Sequence, residues 1–122
     1  MTFDEIWAEY LRFRDGFLAI LDPRFYQAAW LDGEIWSGRL HLFSCADAAI
    51  VIEVKPFPSG ALELHGMAAT GNLRSIVGTL IPLAEQFGRE RGCIVATIQS
   101  RPGWGRMMKD YRFSQVMLRK EL

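Results

Sequence analysis

The run ALELHGMAAT (61–70), GN (71–72), LRSIVGTLIPLAEQFGRER (73–91), GC (92–93) and IVATIQS (94–100) decides the fold. In its first part Leu62, Leu64 and Gly66 alternate with Glu63, His65 and Met67, the period of a half-solvated strand over Ala61–Thr70. The period then changes: Leu73, Ile76, Val77, Leu80, Ala84 and Phe87 recur at helical spacing. Gly92 stands where a left-handed residue closes a helix. Pro82, inside the run, predicts a kink or a missing backbone hydrogen bond. The β-branched Ile94–Gln99 segment is a second strand. Strand, long helix and strand in this order predict a parallel pair joined by a right-handed crossover. Beyond it, Arg101-Pro102-Gly103-Trp104 predicts a short helix and Ser114–Lys120 a closing strand.

Toward the N-terminus, Thr2-Phe3-Asp4-Glu5 has the form of a capping box, which satisfies free backbone donors at a helix start. Phe3, Ile6, Trp7, Tyr10, Leu11, Phe17 and Leu21 follow near helical spacing, and Gly16 weakens this helix without ending it. Asp22-Pro23 reads as N-cap and first-turn proline of a second helix carrying Phe25, Tyr26, Ala29 and Trp30. Asp32-Gly33 and Ser37-Gly38 are its two possible stops. From Arg39 the period becomes two, and Ala48–Lys55 is a β-branched run. Pro56-Phe57-Pro58-Ser59-Gly60 is a turn between antiparallel strands. Trp7, Trp30 and Trp36 are expected to pack the two helices on the sheet.

The chain's 122 residues, half of them apolar, suffice for one domain (1–122) with a real core. Fourteen basic residues balance fourteen acidic ones, which argues against nucleic-acid or membrane binding driven by net charge. The distribution is uneven, however: acids dominate residues 1–38 and bases dominate 101–122. That split suits either a local anion site or salt pairing between two faces. Two cysteines, Cys45 and Cys93, and two histidines, His41 and His65, show no metal spacing. No signal segment or bilayer-length apolar run is seen, so a reduced, cytoplasmic protein is expected.

Two helices, a meander, a long helix, a strand, a short helix and a final strand resemble the GNAT (GCN5-related N-acetyltransferase) fold. The resemblance implies a mixed α/β (α+β), mostly antiparallel central sheet flanked by helices. Gly92-Cys93 before a strand, Arg101-Pro102-Gly103-Trp104, Phe113 and Ile35-Trp36-Ser37-Gly38-Arg39-Leu40 look similar to small GNAT-like proteins of phages and prophages. The family implies acetyl-CoA or another acyl-CoA as cofactor and an amine as acceptor. It also implies a glycine-containing loop at the long helix whose backbone N–H groups hold the pyrophosphate.

Counting back from Gly92 lays that loop over Asn72, Ser75 and Val77, with Gly78 one residue late. The cofactor-binding residues implied are Gly71, Asn72, Arg74, Ser75 and Arg101, with Met67 and Ala69 as backbone donors to the thioester carbonyl. The family's proton donor to the leaving thiolate falls on Met108, which has no proton to give, so Tyr111 one turn later is the substitute. Glu63 and His65 share a strand face, and Glu53 is expected opposite them. Together they are the candidate general-base group, although such an alternation is ordinarily just the wet face of a sheet. Two functions follow. One is an acyl-CoA-dependent N-acyltransferase with an altered pyrophosphate loop. The other is a catalytically inactive GNAT-like phage or prophage protein that acts as a module binding a protein partner or as a virion-associated one. The short chain also leaves a sheet edge on which two copies could pair as a homodimer.

Overall fold

The computed structural model describes every residue but Arg101. Thr2 starts the first helix as the capping box predicts: its Oγ1 accepts the Glu5 N–H at 3.2 Å, and α1 runs Phe3–Ile20. The second helix begins later than expected. Asp22 does not cap it. Its carboxylate accepts the Arg24 N–H at 2.9 Å and pairs with the Arg24 guanidinium, while its carbonyl takes the N–H groups of Phe25 and Tyr26. That satisfies one turn and stops, so α2 forms only over Ala28–Ser37. It passes through Gly33 and ends at Gly38, whose φ of 78° is the left-handed cap.

Strands β1 (His41–Ser44), β2 (Ala48–Pro56), β3 (Leu62–Gly71) and β4 (Cys93–Ile98) form one four-stranded sheet in sequential order. The first three are antiparallel neighbours and β4 runs parallel to β3, as the strand–helix–strand pattern requires. The connection is helical from Leu73 to Glu90, in three parts: α3 (Leu73–Ser75), a π-turn over Ile76–Leu80, and α4 (Ile81–Glu90). Pro82 accounts for the irregularity. Its ring crowds the carbonyl four residues back and it offers no N–H, so the preceding turn widens and the Ile81 N–H bonds the Ile76 carbonyl. Gly92, at φ 85°, ends the helix as expected.

Two cores lie on the two sheet faces. Tyr10, Phe17, Leu31, Ile35, Val51 and Ala68 fill the one under α1 and α2. Ile50, Ile52, Leu64, Ile76, Leu80, Ala84 and Met108 fill the one under α4. The buried Tyr10 hydroxyl donates to Asp32 at 2.6 Å, and Arg14 forks onto the same carboxylate at 2.7 and 2.9 Å, fastening α1 to α2. Trp7 and Trp36 meet edge-on at 5.2 Å and Phe3 meets Trp36 at 4.7 Å. Trp30 is not part of this set; it lies 5.4 Å from Tyr26 near the surface.

Past β4 a 3-10 turn spans Pro102–Arg106, where the short helix was expected. The closing strand at Ser114–Lys120 does not form. A strand needs a ladder partner for its backbone, and this segment has none among the described residues. Phe113 and Leu118 are 83% and 92% exposed. The tail instead turns back to the Asp22–Phe25 turn through Arg24–Glu121 at 3.1 Å and Arg119 over the Phe25 ring. The pair joins the two charged ends of the chain through the minority charge of each, an arginine of the acidic part and a glutamate of the basic part.

Gly71 carries the one turn that joins β3 to α3. Its φ is 103°, and a Cβ there would run into the Asp47 carbonyl and the Ala48 Cα. Gly71→Ala is therefore expected to lower unfolding stability by about 2–3 kcal/mol from backbone strain and overlap combined, read as a lower urea midpoint with unchanged m-value.

Candidate functional site

Strand β3 changes register in its middle. Val51 of β2 faces Ala68 while Ile52 faces Gly66, so Met67 is an extra residue, a bulge that releases its backbone from the ladder. The bulge also inverts the alternation. Leu64 packs under α4 before it, and Ala68 packs under α1 and α2 after it. On the other side, β4 pairs with β3 only from Leu62 to Gly66 and ends at Ile98. Beyond that point the two parallel strands part, and β3 runs on to Gly71 paired with β2 only. Gly66 sits at the fork, where a Cβ would come within 2.7 Å of the Ile98 side chain.

A cavity of about 310 Å³ opens in the fork, between the sheet and α4. Ile50, Ile52, Leu64, Ile76, Ile81 and Ala84 make an apolar wall, and Gly66, Met67, Ala68 and Ala69 line the β3 side. Trp104 and Tyr111 also line it; they come from the segment after β4 that crosses the α4 face. Met108, at the position of the family's acid, is buried in the core beside them. The Tyr111 hydroxyl donates to the Glu85 carboxylate at 2.8 Å, and burial followed by that carboxylate pushes the phenol well above its usual range.

On the sheet face opposite α4 lies a polar cluster. His65 stands directly across from Glu53, and Glu63 across from Lys55. The His65 Nδ1 is 2.9 Å from the Thr97 Oγ1 and 4.0 Å from Glu63, and Lys55 lies 3.5 Å from Glu53. The side chains of His65 and Glu63 are only 13% and 15% exposed. Burial, with help from Lys55, holds His65 below the usual imidazole value against the pull of the two carboxylates. It is neutral at pH 7. Glu53, Glu63 and His65 are thus one group, in the register anticipated, while Tyr111 belongs to the cavity on the other face.

At the start of α3 the Asn72 Oδ1 accepts the Ser75 N–H at 3.1 Å, and the Asn72 N–H donates to the Asp47 carbonyl at 2.9 Å. The Asp47 carboxylate accepts the Ser75 hydroxyl, which together with Cys45 holds its pKa below the usual carboxylate value. The amide and hydroxyl of Ser75 therefore both have partners within the chain. Arg74 is exposed on the same turn, and Arg101 lies outside the described residues. Among the described residues no group of three metal-ligating side chains occurs, and no helix is long and apolar enough to cross a membrane.

Four contributors were missed in the sequence: Asp47, Lys55, Glu85 and Thr97. Glu85 had a signal, since it lies one turn after the buried Ile81. Thr97 lies two residues beyond Val95, the partner of Glu63, and itself pairs with His65. Asp47 had none, because its role depends on a contact with residues 72 and 75.

No family model matches the chain, and no curated protein matches it significantly. Solved structures do. A GCN5-related N-acetyltransferase from Ralstonia eutropha superposes with a TM-score of 0.66 at 16% identity, covering 100% of this chain and 95% of that one. A ribosomal-protein-alanine N-acetyltransferase from Brucella melitensis gives 0.64 at 11% identity, covering 98% and 96%. A predicted acetyltransferase from Clostridium acetobutylicum, solved with acetyl-CoA, gives 0.64 at 12% identity, covering 100% and 92%. The chain has the fold of the GNAT acetyltransferases: a mixed, mostly antiparallel sheet flanked by helices.

His41 is held low by burial and by Arg91, so both histidines favour the neutral form in the folded state. A depressed histidine contributes stability that is complete above its unfolded value and is lost as pH falls through the folded one. The urea midpoint is expected to drop as pH falls below about 6.5, and His65→Asn should reduce that slope. A midpoint flat from pH 7.5 to 5 would contradict the burial of both rings.

Proposed function

We propose that the protein is an N-acyltransferase that draws an acyl thioester into the fork between β3 and β4 and transfers the acyl group to an amine. The observation that carries this reading is the fork itself: a register break at Met67, strands that part beyond Gly66, and an apolar cavity of about 310 Å³ between them. Acyl-pantetheine is a slender, largely uncharged arm, which suits such a slot. Met67, out of the β2 ladder, and Ala69, on the stretch of β3 with no β4 partner, supply backbone hydrogen-bond donors for the thioester oxygen, where negative charge develops.

The amine arrives as an ammonium and must lose a proton before its lone pair can attack the carbonyl. His65, neutral, flanked by Glu53 and Glu63 and next to Gly66 at the apex of the fork, is the base, so the amine approaches the fork from the sheet face opposite the cavity; its Nδ1 is engaged by Thr97, which leaves Nε2 for the substrate. The carboxylates stabilise the imidazolium that forms. The nitrogen–carbon bond then closes, the tetrahedral intermediate loses the nitrogen's second proton to solvent, and the carbon–sulfur bond breaks, releasing a thiolate. Tyr111 is a poor donor to that thiolate. Its one proton is committed to Glu85 and its acidity is weakened, while a thiol ordinarily titrates near 8.5. Solvent protonates the sulfur, and the Tyr111–Glu85 pair shapes the cavity wall.

A second reading, a catalytically inactive binding module of the phage or virion-associated kind, draws on the internally satisfied Ser75 and on the exposed apolar tail.

Calorimetric titration with S-acetylpantetheine and acetyl-CoA, followed by amine-dependent thiol release, separates the two. Micromolar binding and turnover are expected. His65→Ala should then cut kcat about 100-fold with donor binding unchanged, whereas Tyr111→Phe should change kcat less than about fivefold, since it removes no proton-transfer step. Absence of binding at millimolar donor would leave the inactive module as the function.

A further inference from the structure

Strands β3 and β4 set His65 and Thr97 side by side, and Glu63, two residues before His65, shares their face. The Thr97 Oγ1 lies 2.9 Å from the His65 Nδ1, and the Glu63 carboxylate lies 4.0 Å from the same nitrogen. A neutral imidazole carries its proton on one ring nitrogen, and the other is left as the base. A bare lone pair on Nδ1 would face a carboxylate, whereas a proton there is attracted to it. The threonine oxygen accepts as readily as it donates, so it completes the form that the carboxylate selects. Thr97 is β-branched, which makes its χ1 stiff and keeps the hydroxyl aimed at the ring. Thr97 also lines the cavity, so this contact stands at the wall of the fork.

The two carboxylates beside the ring are not equivalent. Glu53 faces His65 from β2, and Lys55 stands across from Glu63, but the Lys55 ammonium turns to Glu53 at 3.5 Å. Burial holds His65 low, Lys55 lowers it further, and Glu53 raises it ahead of Glu63. Because Glu53 acts with Lys55 beside it, those two offset each other. Glu63 has no lysine or arginine within 4.0 Å among the described residues and is left as the uncompensated carboxylate. Resting on the acyl-transfer reading above, we infer that Thr97 and Glu63 are positioning residues for the base: they hold the His65 proton on Nδ1, leave Nε2 as the basic nitrogen for the amine, and Glu63 stabilises the imidazolium. The proton taken from the ammonium ends on Nε2, and the Nδ1 proton stays between the ring and Thr97. Both residues act through the ring rather than on the amine.

Nitrogen-15 NMR of the imidazole reads the tautomer directly and needs no turnover. At pH 7.5 the wild-type ring should be protonated on Nδ1 and bare on Nε2. Thr97→Val should mix the two tautomers and cut kcat at least about tenfold, within the roughly 100-fold that a general base supplies at its lower end, with the donor KM unchanged. Thr97→Ser, which keeps the hydroxyl, should behave as wild type in both respects. Glu63→Gln should lower the His65 titration midpoint and kcat together, whereas removing the offsetting pair, Glu53→Gln with Lys55→Gln, should move the midpoint less. A wild-type ring protonated on Nε2, or a Thr97→Val protein that keeps either its tautomer or its kcat, would overturn the inference. A larger midpoint shift in the double variant than in Glu63→Gln would overturn the part given to Glu63. The expected tautomer in a wild-type protein that shows no amine-dependent thiol release would overturn acyl transfer instead and leave the assignment of the ring proton standing.

Discussion

The register break between Gly66 and Met67 is the constraint on which the rest of the molecule depends. A single extra residue in β3 turns its later half over, so that Leu64 serves the core under α4 and Ala68 the core under α1 and α2. Because side chains alternate strictly along a strand, one inserted residue moves everything beyond it to the other face. The same place is where β4 stops pairing. Met67 has lost its β2 partner and β3 its β4 partner there, beside an apolar cavity. A site that must stabilise developing charge in a dry environment needs that combination.

Two fastenings hold the fork open. On one side Arg14 and Tyr10 converge on Asp32 and lock α1 to α2, which lie over the later half of β3. On the other, Arg12 reaches from α1 to the turn between β1 and β2, and Asp47 of that turn holds Asn72 and Ser75. The helix that follows is thereby anchored at its start, so the π-turn imposed by Pro82 displaces its middle rather than its origin.

Most elements were legible because they are written in local chemistry. The capping box at Thr2, the irregularity at Pro82, the left-handed Gly92, a helix stop at Gly38, and the Glu53–His65 register all follow from periodicity and turn residues within a few positions. The failures share a cause. Asp22-Pro23 has the local signature of a helix start, but Arg24 answers the carboxylate first. Ser114–Lys120 has strand composition, and no neighbouring strand completes it. Trp30 has the right spacing for the aromatic set and turns to Tyr26 instead.

What the sequence by itself determined, then, is the order and type of the elements from α1 to β4, the parallel pairing of β3 with β4, and the polar face carrying Glu63 and His65. Backbone propensity, capping and alternation act over a few residues, and those residues were all in view. Only the tertiary structure decided that Tyr111 and His65 lie on opposite faces, that Glu85 and Thr97 join them, and that Asp47 holds Asn72 and Ser75 at the start of α3. Each of these depends on which atoms approach across tens of residues of chain, and such approaches are chosen by packing rather than by neighbours in sequence.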